Sequence, residues 1–359
     1  MSFFVTRALQ VFAVHVDRQT IASPPLDRIR TSPPRQWGFF QIFCKYALVS
    51  DFHVGFIGLG DQGSPIAQRI ASQGYALHVW ARDPATLVRF SSNGATIEAS
   101  PIALGAACAM VGICVVNDDD VREVVLHDGQ GVLYGLGPGS VLAIHSTVAP
   151  QTVIDLARIA GERGVHVLDA PVSGGSRGAR AATMTVMVGG EPTALEIARP
   201  IFATFASDIA HLGPVGSGQL MKLLNNNLCY ANTTMAISAL ELAEQLGMDA
   251  RVAASVLKVS SGASVGLSIL TEESTLRKAS GPTSNIAKDV GHFRHLLDDR
   301  GLADAPLASA AATTAAGSRR MPSERCREQA RTRTVSRNER LAQCTGRVEY
   351  HRNNQRLGQ

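Results

Sequence analysis

Short apolar runs alternate with amphipathic segments between Phe52 and Val188. Segments with apolar residues three or four positions apart predict helices at Gln62–Ser72, Pro84–Phe90, Val121–Leu126 and Gln151–Ala160. The apolar runs predict strands at Phe52–Ile57, Leu77–Trp80, Met110–Val116, Ser140–Ile144, Val165–Leu168 and Met184–Val188. Because strand and helix alternate in this way, we expect βαβ units and a parallel sheet.

The pattern changes to purely helical after Gly218. Gln219–Leu246 contains 28 residues without Gly or Pro, which predicts a helix of roughly 42 Å that could connect two domains. Gly247 suits the end of this helix. Further helices are predicted at Ala250–Lys258, Ser268–Arg277 and Ile286–Asp299, and no strand pattern accompanies them.

Three glycines follow the first predicted strand at the spacing G-x-G-x-x-G. Gly58 would allow a tight turn, Gly60 would let a pyrophosphate approach the backbone, and Gly63 would let the next helix pack closely. The helix N-terminus would face the phosphates with free N–H groups. The spacing alone also fits an ordinary glycine-rich turn. The surrounding strand, turn and helix are what favour a dinucleotide site.

These patterns predict an α/β protein with an N-terminal Rossmann-type parallel sheet domain, residues 51–214, and an all-helical substrate and dimerisation domain, residues 215–306, joined by the long helix. Residues 1–50 are predicted to be a poorly ordered leader, because paired prolines interrupt them. Arginines in this leader also fit a mitochondrial targeting peptide. Residues 307–359 become Ala-rich and then Arg-rich, and are predicted to be a disordered tail.

Charge is concentrated in that tail. The 359-residue chain has a net charge of +4. Eleven Arg and four Glu from Gly317 to Gln359 give the tail +7, which leaves −3 for the other 316 residues. An Arg-rich tail could bind nucleic acid, but without interleaved aromatic residues a solvated extension is the better interpretation.

Two further classes of protein are disfavoured by composition. No run of 18 apolar residues occurs, so a membrane span is not expected. The six cysteines lack C-x-x-C spacing, so we expect free thiols in a reducing compartment and no metal site. The sequence therefore favours a cytoplasmic protein.

The residues after the second predicted strand bear on the choice of cofactor. An acidic residue about 20 positions past the glycines binds the ribose 2′-hydroxyl of NAD, whereas an Arg accommodates the 2′-phosphate of NADP. This position is Ala81, followed by Arg82 and Asp83. We therefore expect NADP(H) to be preferred, with NAD(H) as the alternative. Arg82 could also be an ordinary surface residue, with Asp83 capping the next helix.

Three more stretches complete an ordered set of motifs. They are Asp169-Ala-Pro-Val-Ser-Gly-Gly175, Gly216-Ser-Gly-Gln-Leu-Met-Lys-Leu-Leu-Asn-Asn226 and Lys288-Asp289. Together with the glycine motif, they make residues 52–306 closely resemble the β-hydroxyacid dehydrogenases, which include 3-hydroxyisobutyrate dehydrogenase, tartronate semialdehyde reductase and relatives of 6-phosphogluconate dehydrogenase.

This resemblance implies roles for individual residues. Lys222 matches the catalytic lysine and Asn226 the asparagine that helps to hold the substrate, while Ser173, Gly174 and Gly175 match the segment that binds the substrate carboxylate. The cofactor-binding positions implied by the resemblance and the glycine motif are Gly58, Leu59, Gly60, Gln62, Gly63, Arg82, Val115, Val116, Thr147 and Lys288.

The implied role of Lys222 is chemically reasonable. Hydride transfer from an alcohol requires a group that takes the hydroxyl proton, and a lysine can do so if burial or a nearby cation lowers its pKa. Lys222 and Asn226 share a helix face with Gln219, Asn225 and Cys229. This polar stripe could equally be a solvent face, but consecutive asparagines are poor helix formers and favour a site.

The chain departs from the family at three places. Gln62 stands where the family usually has Met, and Val115-Val116 stands where it has Leu-Pro. The family also ends with further helices in the second domain, whereas this chain changes character after Pro306. The changed C-terminal sequence could alter the packing of the helical domain and the formation of any homo-oligomer through it.

The leading hypothesis is an NAD(P)-dependent oxidoreductase that transfers a hydride between the nicotinamide and a small β-hydroxyacid or semialdehyde. One alternative is an imine reductase-like member of the same superfamily, against which Lys222 argues. The other is a non-catalytic NADP-binding protein with an altered C-terminus. The expected partners are a small carboxylic acid and a second copy of the chain.

Overall fold

Nine strands form one sheet in the computed structural model, which describes residues 52–91, 94–271 and 284–317. The strands are β1 His53–Ile57, β2 Ala76–Trp80, β3 Thr96–Ile97, β4 Met110–Ile113, β5 Val141–Ile144, β6 His166–Asp169, β7 Val172–Ser173, β8 Met184–Gly189 and β9 Ala206–Gly213. Their order is β3-β2-β1-β4-β5-β6-β8-β7, and β9 also pairs with β8.

Helices surround this sheet and form the second half of the chain. Those of the first half are α1 Gly63–Ser72, α2 Val88–Ser91, α3 Pro101–Ala107, α4 Asp118–Leu126, α5 Val132–Gly135, α6 Pro150–Gly161, α7 Gly175–Ala181 and α8 Pro192–Phe202. Those of the second half are α9 Ser217–Gln245, α10 Ala250–Val259, α11 Val265–Thr271, α12 Ser284–Asp298 and α13 Pro306–Gly317. Short 3-10 turns lie at Pro84–Thr86 and His127–Gly129.

The predicted α/β fold with a helical second half is confirmed. From β3 to β6 every strand pair is parallel, and β4 and β5 are buried along their whole length. Their side chains enter hydrophobic clusters on both faces of the sheet. Burial on both faces explains why these strands are continuous apolar runs in the sequence.

One part of the sheet differs from the predicted parallel arrangement. β8 runs antiparallel to β6 and β7. Between Ser173 and Met184 the chain holds only the short helix α7, so it turns back beside β7. A parallel crossover would need a longer connection.

The long helix is confirmed, with 29 residues from Ser217 to Gln245. The predicted helix Pro84–Phe90 is divided between the 3-10 turn and α2. Of the predicted helix Ser268–Arg277, only the part up to Thr271 lies within the described residues. None of the described helices combines the length and apolarity needed to cross a membrane.

The disordered tail predicted from residue 307 is wrong for its first part, because α13 extends to Gly317. Ala308 and Ala311 are buried, and Thr314 Oγ1 donates a hydrogen bond to Tyr230 O at 2.7 Å. The small side chains let α13 pack closely against α9, although they show little hydrophobic periodicity. Residues 318–359 and the predicted leader, 1–50, lie outside the described residues.

Candidate active site

The glycine loop joins β1 to α1 and has the geometry that its spacing predicts. Gly58 has φ +94°, and a Cβ there would lie 2.2 Å from Cys114 O. A Cβ on Gly63 would lie 1.9 Å from Gly58 O. Both positions therefore require glycine, the first for its backbone conformation and the second for close helix packing.

Gly60 differs from its two neighbours in this motif. A Cβ at Gly60 would meet nothing within 4 Å, and the residue is exposed. Leu59 is buried beneath the loop, and Gln62 is the N-cap residue of α1 without capping it through its side chain. The open backbone at Gly60, just before the N-terminus of α1, fits a pyrophosphate.

Arg82 lies just after β2, at one side of this loop. Its Nη2 donates a hydrogen bond to Asp120 Oδ1 at 2.7 Å, and 65% of its side chain is exposed. Asp83 accepts a hydrogen bond from Ala85 N at 3.0 Å and so caps the following turn. The capping role considered for Asp83 is present, and it leaves the Arg82 guanidinium accessible to a ligand.

Three of the predicted cofactor positions meet between the two halves of the chain. Lys288, on α12, donates from Nζ to Val116 O at 3.1 Å and to Thr147 O. Val115 N donates to Ser146 Oγ at 2.8 Å, which links the loops that follow β4 and β5. The helical half of the chain is thus bonded directly to the loops that were predicted to contact the cofactor.

Lys222 is buried on α9, with 8% of the residue exposed. Burial lowers the pKa of Lys222 to about 8, with Asp289 and Cys229 acting in the opposite direction and Lys288 in the same one. Among the described residues, no hydrogen bond or ion pair involves its Nζ. The ammonium group can therefore serve a bound molecule.

The polar stripe of α9 faces inward, which rules out its reading as a solvent face. Gln219 and Lys222 are buried and Asn225, Asn226 and Cys229 are partly buried, whereas Leu224 and Leu228 are about half exposed. Gln219 Nε2 donates to Ser146 O at 2.8 Å and its Oε1 accepts from Val148 N at 3.1 Å. Hydrogen bonds of this kind offset the cost of burying polar groups.

Asp289 connects several of these residues and was not among the predicted site residues. Asn226 Nδ2 donates to Asp289 Oδ2 at 2.8 Å, and Tyr230 OH donates to the same oxygen at 3.0 Å. Lys288 Nζ lies 3.5 Å from its Oδ1. Asp289 is buried, and its charge opposes the lowering of the Lys222 pKa by burial. The one signal in the sequence for a role of Asp289 was its position next to Lys288 in the Lys288-Asp289 motif.

Ser173, Gly174 and Gly175 make up the turn in which β7 ends at Ser173 and α7 begins at Gly175. Gly174 has φ +123° and Gly175 has φ +58°, and both are exposed. Two exposed glycines with positive φ beside a Ser hydroxyl are a backbone arrangement that suits an anion. No hydrogen bond joins this loop to Lys222 in the described ranges.

Asp169 fixes the start of α9. The sequence did not indicate this structural role. Its carboxylate is fully buried and accepts hydrogen bonds from Gly216 N and Gln219 N, each at 2.8 Å. A Cβ on Gly189 would lie 2.3 Å from Asp169 Oδ1, and one on Gly218 would lie 2.9 Å from Oδ2. The end of β6 therefore positions the first turn of the helix that carries Lys222.

Asp118 makes a second link between the halves. It accepts from Ala149 N at 2.9 Å and from Thr152 Oγ1 at 2.6 Å, and His292 Nε2 lies 2.9 Å from its Oδ2. Burial alone would raise the pKa of Asp118, but the hydrogen bonds from His292, Thr152 and Ala149 outweigh it and lower that pKa. Asp118 lies in the first turn of α4 together with Asp119 and Asp120, and the N-cap of that helix is Asn117.

Two family matches cover most of this arrangement. Residues 53–213 match the NAD binding domain of 6-phosphogluconate dehydrogenase. Residues 216–328 match the family described as NAD-binding of NADP-dependent 3-hydroxyisobutyrate dehydrogenase. The two matches follow each other along the chain and meet where α9 begins.

Individual proteins show the same relationship. The chain is 34% identical over 270 residues to an NAD-dependent L-serine dehydrogenase of Pseudomonas aeruginosa, covering 74% of this chain and 88% of that protein. A solved structure of Mycobacterium tuberculosis 3-hydroxyisobutyrate dehydrogenase with L-serine has a TM-score of 0.65 and 28% identity, covering 74% of this chain and 92% of that one.

An imine reductase from Pseudomonas sp. is also similar in structure, with a TM-score of 0.51 at 18% identity, covering 74% of this chain and 92% of that one. At this identity the likeness extends to the fold alone. The glycine loop, the buried lysine and the extent of the sequence matches agree: the chain belongs to the β-hydroxyacid dehydrogenase family and is an NAD(P)-dependent oxidoreductase.

Proposed function

We propose that the protein interconverts a small β-hydroxyacid and its semialdehyde, with Lys222 as the general acid and base. The observation that carries this proposal is the buried Lys222, whose pKa is lowered to about 8, beside the Asn226–Asp289 pair. When bound, the nicotinamide supplies or accepts the hydride.

Lys222 moves the proton that must accompany this hydride. In the direction of oxidation its neutral amine takes the hydroxyl proton of the substrate. In the direction of reduction its ammonium group returns a proton to the carbonyl oxygen. A pKa near the working pH makes both protonation states available, which is the condition for efficient acid and base catalysis. Asn226 is held at both ends of its amide, since Nδ2 donates to Asp289 and Oδ1 accepts from Asn225 Nδ2, and its second Nδ2 hydrogen would serve the substrate.

The substrate class follows from the anion-binding loop and from the relatives. The hydroxyl of Ser173 and the backbone of the exposed Gly174 and Gly175 would bind a carboxylate. L-serine and 3-hydroxyisobutyrate, which name the relatives, are short acids with a hydroxyl β to the carboxyl group. We therefore propose a short 3-hydroxyacid as the substrate.

We propose that NADP(H) is the preferred cofactor and that NAD(H) is also accepted. The pyrophosphate would be held by the glycine loop, namely Gly58, Leu59, Gly60, Gln62 and Gly63. Arg82 would bind the 2′-phosphate. The nicotinamide end would be held by Lys288 and by the loops that contain Val115, Val116 and Thr147. Support for NADP(H) comes from the accessible guanidinium of Arg82 after β2 and from the absence of an acid at Ala81.

A panel assay tests this function. Purified protein with NADPH and NADH would be offered short semialdehydes and, separately, short imines. Consumption of NADPH with a carboxylate-bearing semialdehyde, and weaker turnover of the matching aldehyde without the carboxylate, is the expected result. Turnover of imines alone would contradict it. Cofactor binding without any turnover would favour a non-catalytic protein.

The rate should depend on pH through Lys222. We expect kcat/KM for reduction to fall above pH 8 or so, and kcat/KM for oxidation to rise towards the same pH and then level off, because burial lowers the pKa of this lysine to about 8. Asp289→Asn should move the inflection to lower pH, since the charge of Asp289 raises the Lys222 pKa. Inflections at the ordinary lysine value of 10.5 would contradict the assignment.

We also propose a homo-oligomer, formed through what we call the apolar hairpin face. It consists of exposed apolar side chains on α9, at its C-cap and on α10, namely Leu242, Leu246, Val252, Val256 and Val259. An exposed apolar surface of this kind is typical of a protein interface. Val256→Glu should convert a dimer to a monomer in size-exclusion chromatography with light scattering, whereas the neighbouring exposed Ser255→Glu should not. A wild-type monomer would contradict the proposal.

A further inference from the structure

The Arg82–Asp120 pair spans the mouth of the glycine loop. Arg82 follows β2 and Asp120 lies in the first turn of α4, which follows β4. In the sheet β2 and β4 are the two neighbours of β1, the strand that leads into the loop. The two side chains meet at 2.7 Å and so join the two sides of the region where the ribose end of a dinucleotide would lie.

The two partners differ in how firmly they are held. Only 16% of the Asp120 side chain is exposed, against 65% for Arg82. Asp120 N also donates to Asn117 Oδ1 at 2.8 Å, which fixes the backbone from which the carboxylate projects. The carboxylate is therefore a fixed charge, whereas the guanidinium keeps donors free for another acceptor.

A 2′-phosphate would meet both charges. It would be attracted by Arg82 and repelled by Asp120, and it would compete with Asp120 for the guanidinium. A 2′-hydroxyl carries no charge, and with such a ligand Asp120 would continue to neutralise Arg82. The carboxylate should thus weaken the binding of a 2′-phosphorylated nucleotide and leave the unphosphorylated one almost unaffected.

We propose that Asp120 determines cofactor specificity by limiting the preference for NADP(H) that Arg82 provides. The proposal deepens, and rests on, the proposed NAD(P)-dependent function. It assigns a role to one member of the acidic run Asp118–Asp120, whose three side chains differ in their contacts. Asp118 bonds to the second half of the chain, Asp119 is exposed, and Asp120 holds Arg82.

The test uses nucleotides without a nicotinamide, so that its readout is independent of turnover. Binding of 2′,5′-ADP and of 5′-AMP would be measured by isothermal titration calorimetry on the full chain. Asp120→Asn should increase the affinity for 2′,5′-ADP about tenfold and change the affinity for 5′-AMP by less than about twofold, as expected for removing one partly exposed charge near a dianion. The gain should shrink at high ionic strength.

Asp119→Asn is the matched control, since it removes the same charge from the adjacent, exposed position. It should change neither affinity by more than about twofold. Arg82→Ala should lower the affinity for 2′,5′-ADP more than that for 5′-AMP. In the Arg82→Ala background, the gain in 2′,5′-ADP affinity from Asp120→Asn should fall to about threefold, because no guanidinium remains to be released from the carboxylate.

Two results would overturn the proposal. One is an equal effect of Asp120→Asn on both nucleotides, and the other is an equal gain from Asp119→Asn. A selective gain with 2′,5′-ADP in a protein that turns over no semialdehyde would support the proposal while contradicting the proposed reaction. The two claims can therefore fail separately.

Discussion

Lys222→Ala should lower turnover of the best semialdehyde about 10³-fold, within the range that general acid–base catalysis contributes, while NADPH affinity changes by less than about threefold. The substitution removes the proton donor from a buried position on α9, and no other lysine among the described residues is buried to the same extent. Stopped-flow measurement of NADPH oxidation, together with fluorescence titration of NADPH, would separate the two effects.

Two further lysine variants control this experiment. Lys258→Ala removes an exposed lysine on α10 and should leave turnover unchanged. Lys222→Arg keeps the positive charge but cannot give up its proton near neutral pH, so it should be nearly as inactive as the alanine variant. If Lys222→Arg retained most of the activity, the lysine would act through its charge and the proposed proton transfer would be wrong.

Gly63→Ala should abolish useful cofactor binding by disturbing the loop itself. The added Cβ would lie 1.9 Å from Gly58 O, a backbone atom. Relieving such a clash by moving the loop costs about 1–3 kcal/mol. If the cofactor requires the original loop conformation, this cost is lost from its binding free energy, which corresponds to an affinity loss of up to about 100-fold. Both the melting temperature and the NADPH affinity should fall, as measured by scanning calorimetry and fluorescence titration.

Gly60→Ala separates the two effects, because its Cβ would have open space around it. The melting temperature should stay near that of the wild type, while NADPH affinity falls since the methyl group stands where the pyrophosphate would approach. Gly161→Ala, also at an open position but in the last turn of α6, should leave NADPH affinity unchanged and raise the melting temperature slightly. Normal NADPH binding by Gly60→Ala would show that the pyrophosphate does not lie against this residue.

The sequence predicted much of the site because its motifs are local. The spacing of Gly58, Gly60 and Gly63 prescribes a turn, and helix periodicity places Lys222 and Asn226 on one face. Asp289 lies 63 positions from Asn226 in the chain, and only tertiary packing brings them together. Helix periodicity also could not tell which face of α9 is buried, since the buried face carries the polar residues.

Elements with little apolar patterning were the ones that escaped prediction. β9 has mostly exposed side chains at the edge of the sheet, so no alternation of polar and apolar residues marks it. α13 consists mainly of Ala and Thr, whose burial against α9 depends on small size rather than on periodic hydrophobicity. In both cases the stabilising contacts come from neighbours that the local sequence does not specify.

The position of Asp169 constrains how this chain can diverge. Asp169 Oδ1 fills the space that a side chain at Gly189 would need, whereas a Cβ at Gly218 would first meet two backbone atoms, Met187 O at 2.3 Å and Asp169 O at 2.7 Å. Gly218 is therefore required whatever residue stands at position 169, and a larger residue at Gly189 is excluded while the aspartate remains. Loss of the aspartate would leave Gly216 N and Gln219 N without acceptors. None of these three positions, contributed by β6, β8 and α9, can therefore change freely. Drift elsewhere in either half of the chain should leave this junction, and with it the placement of Lys222, unaltered.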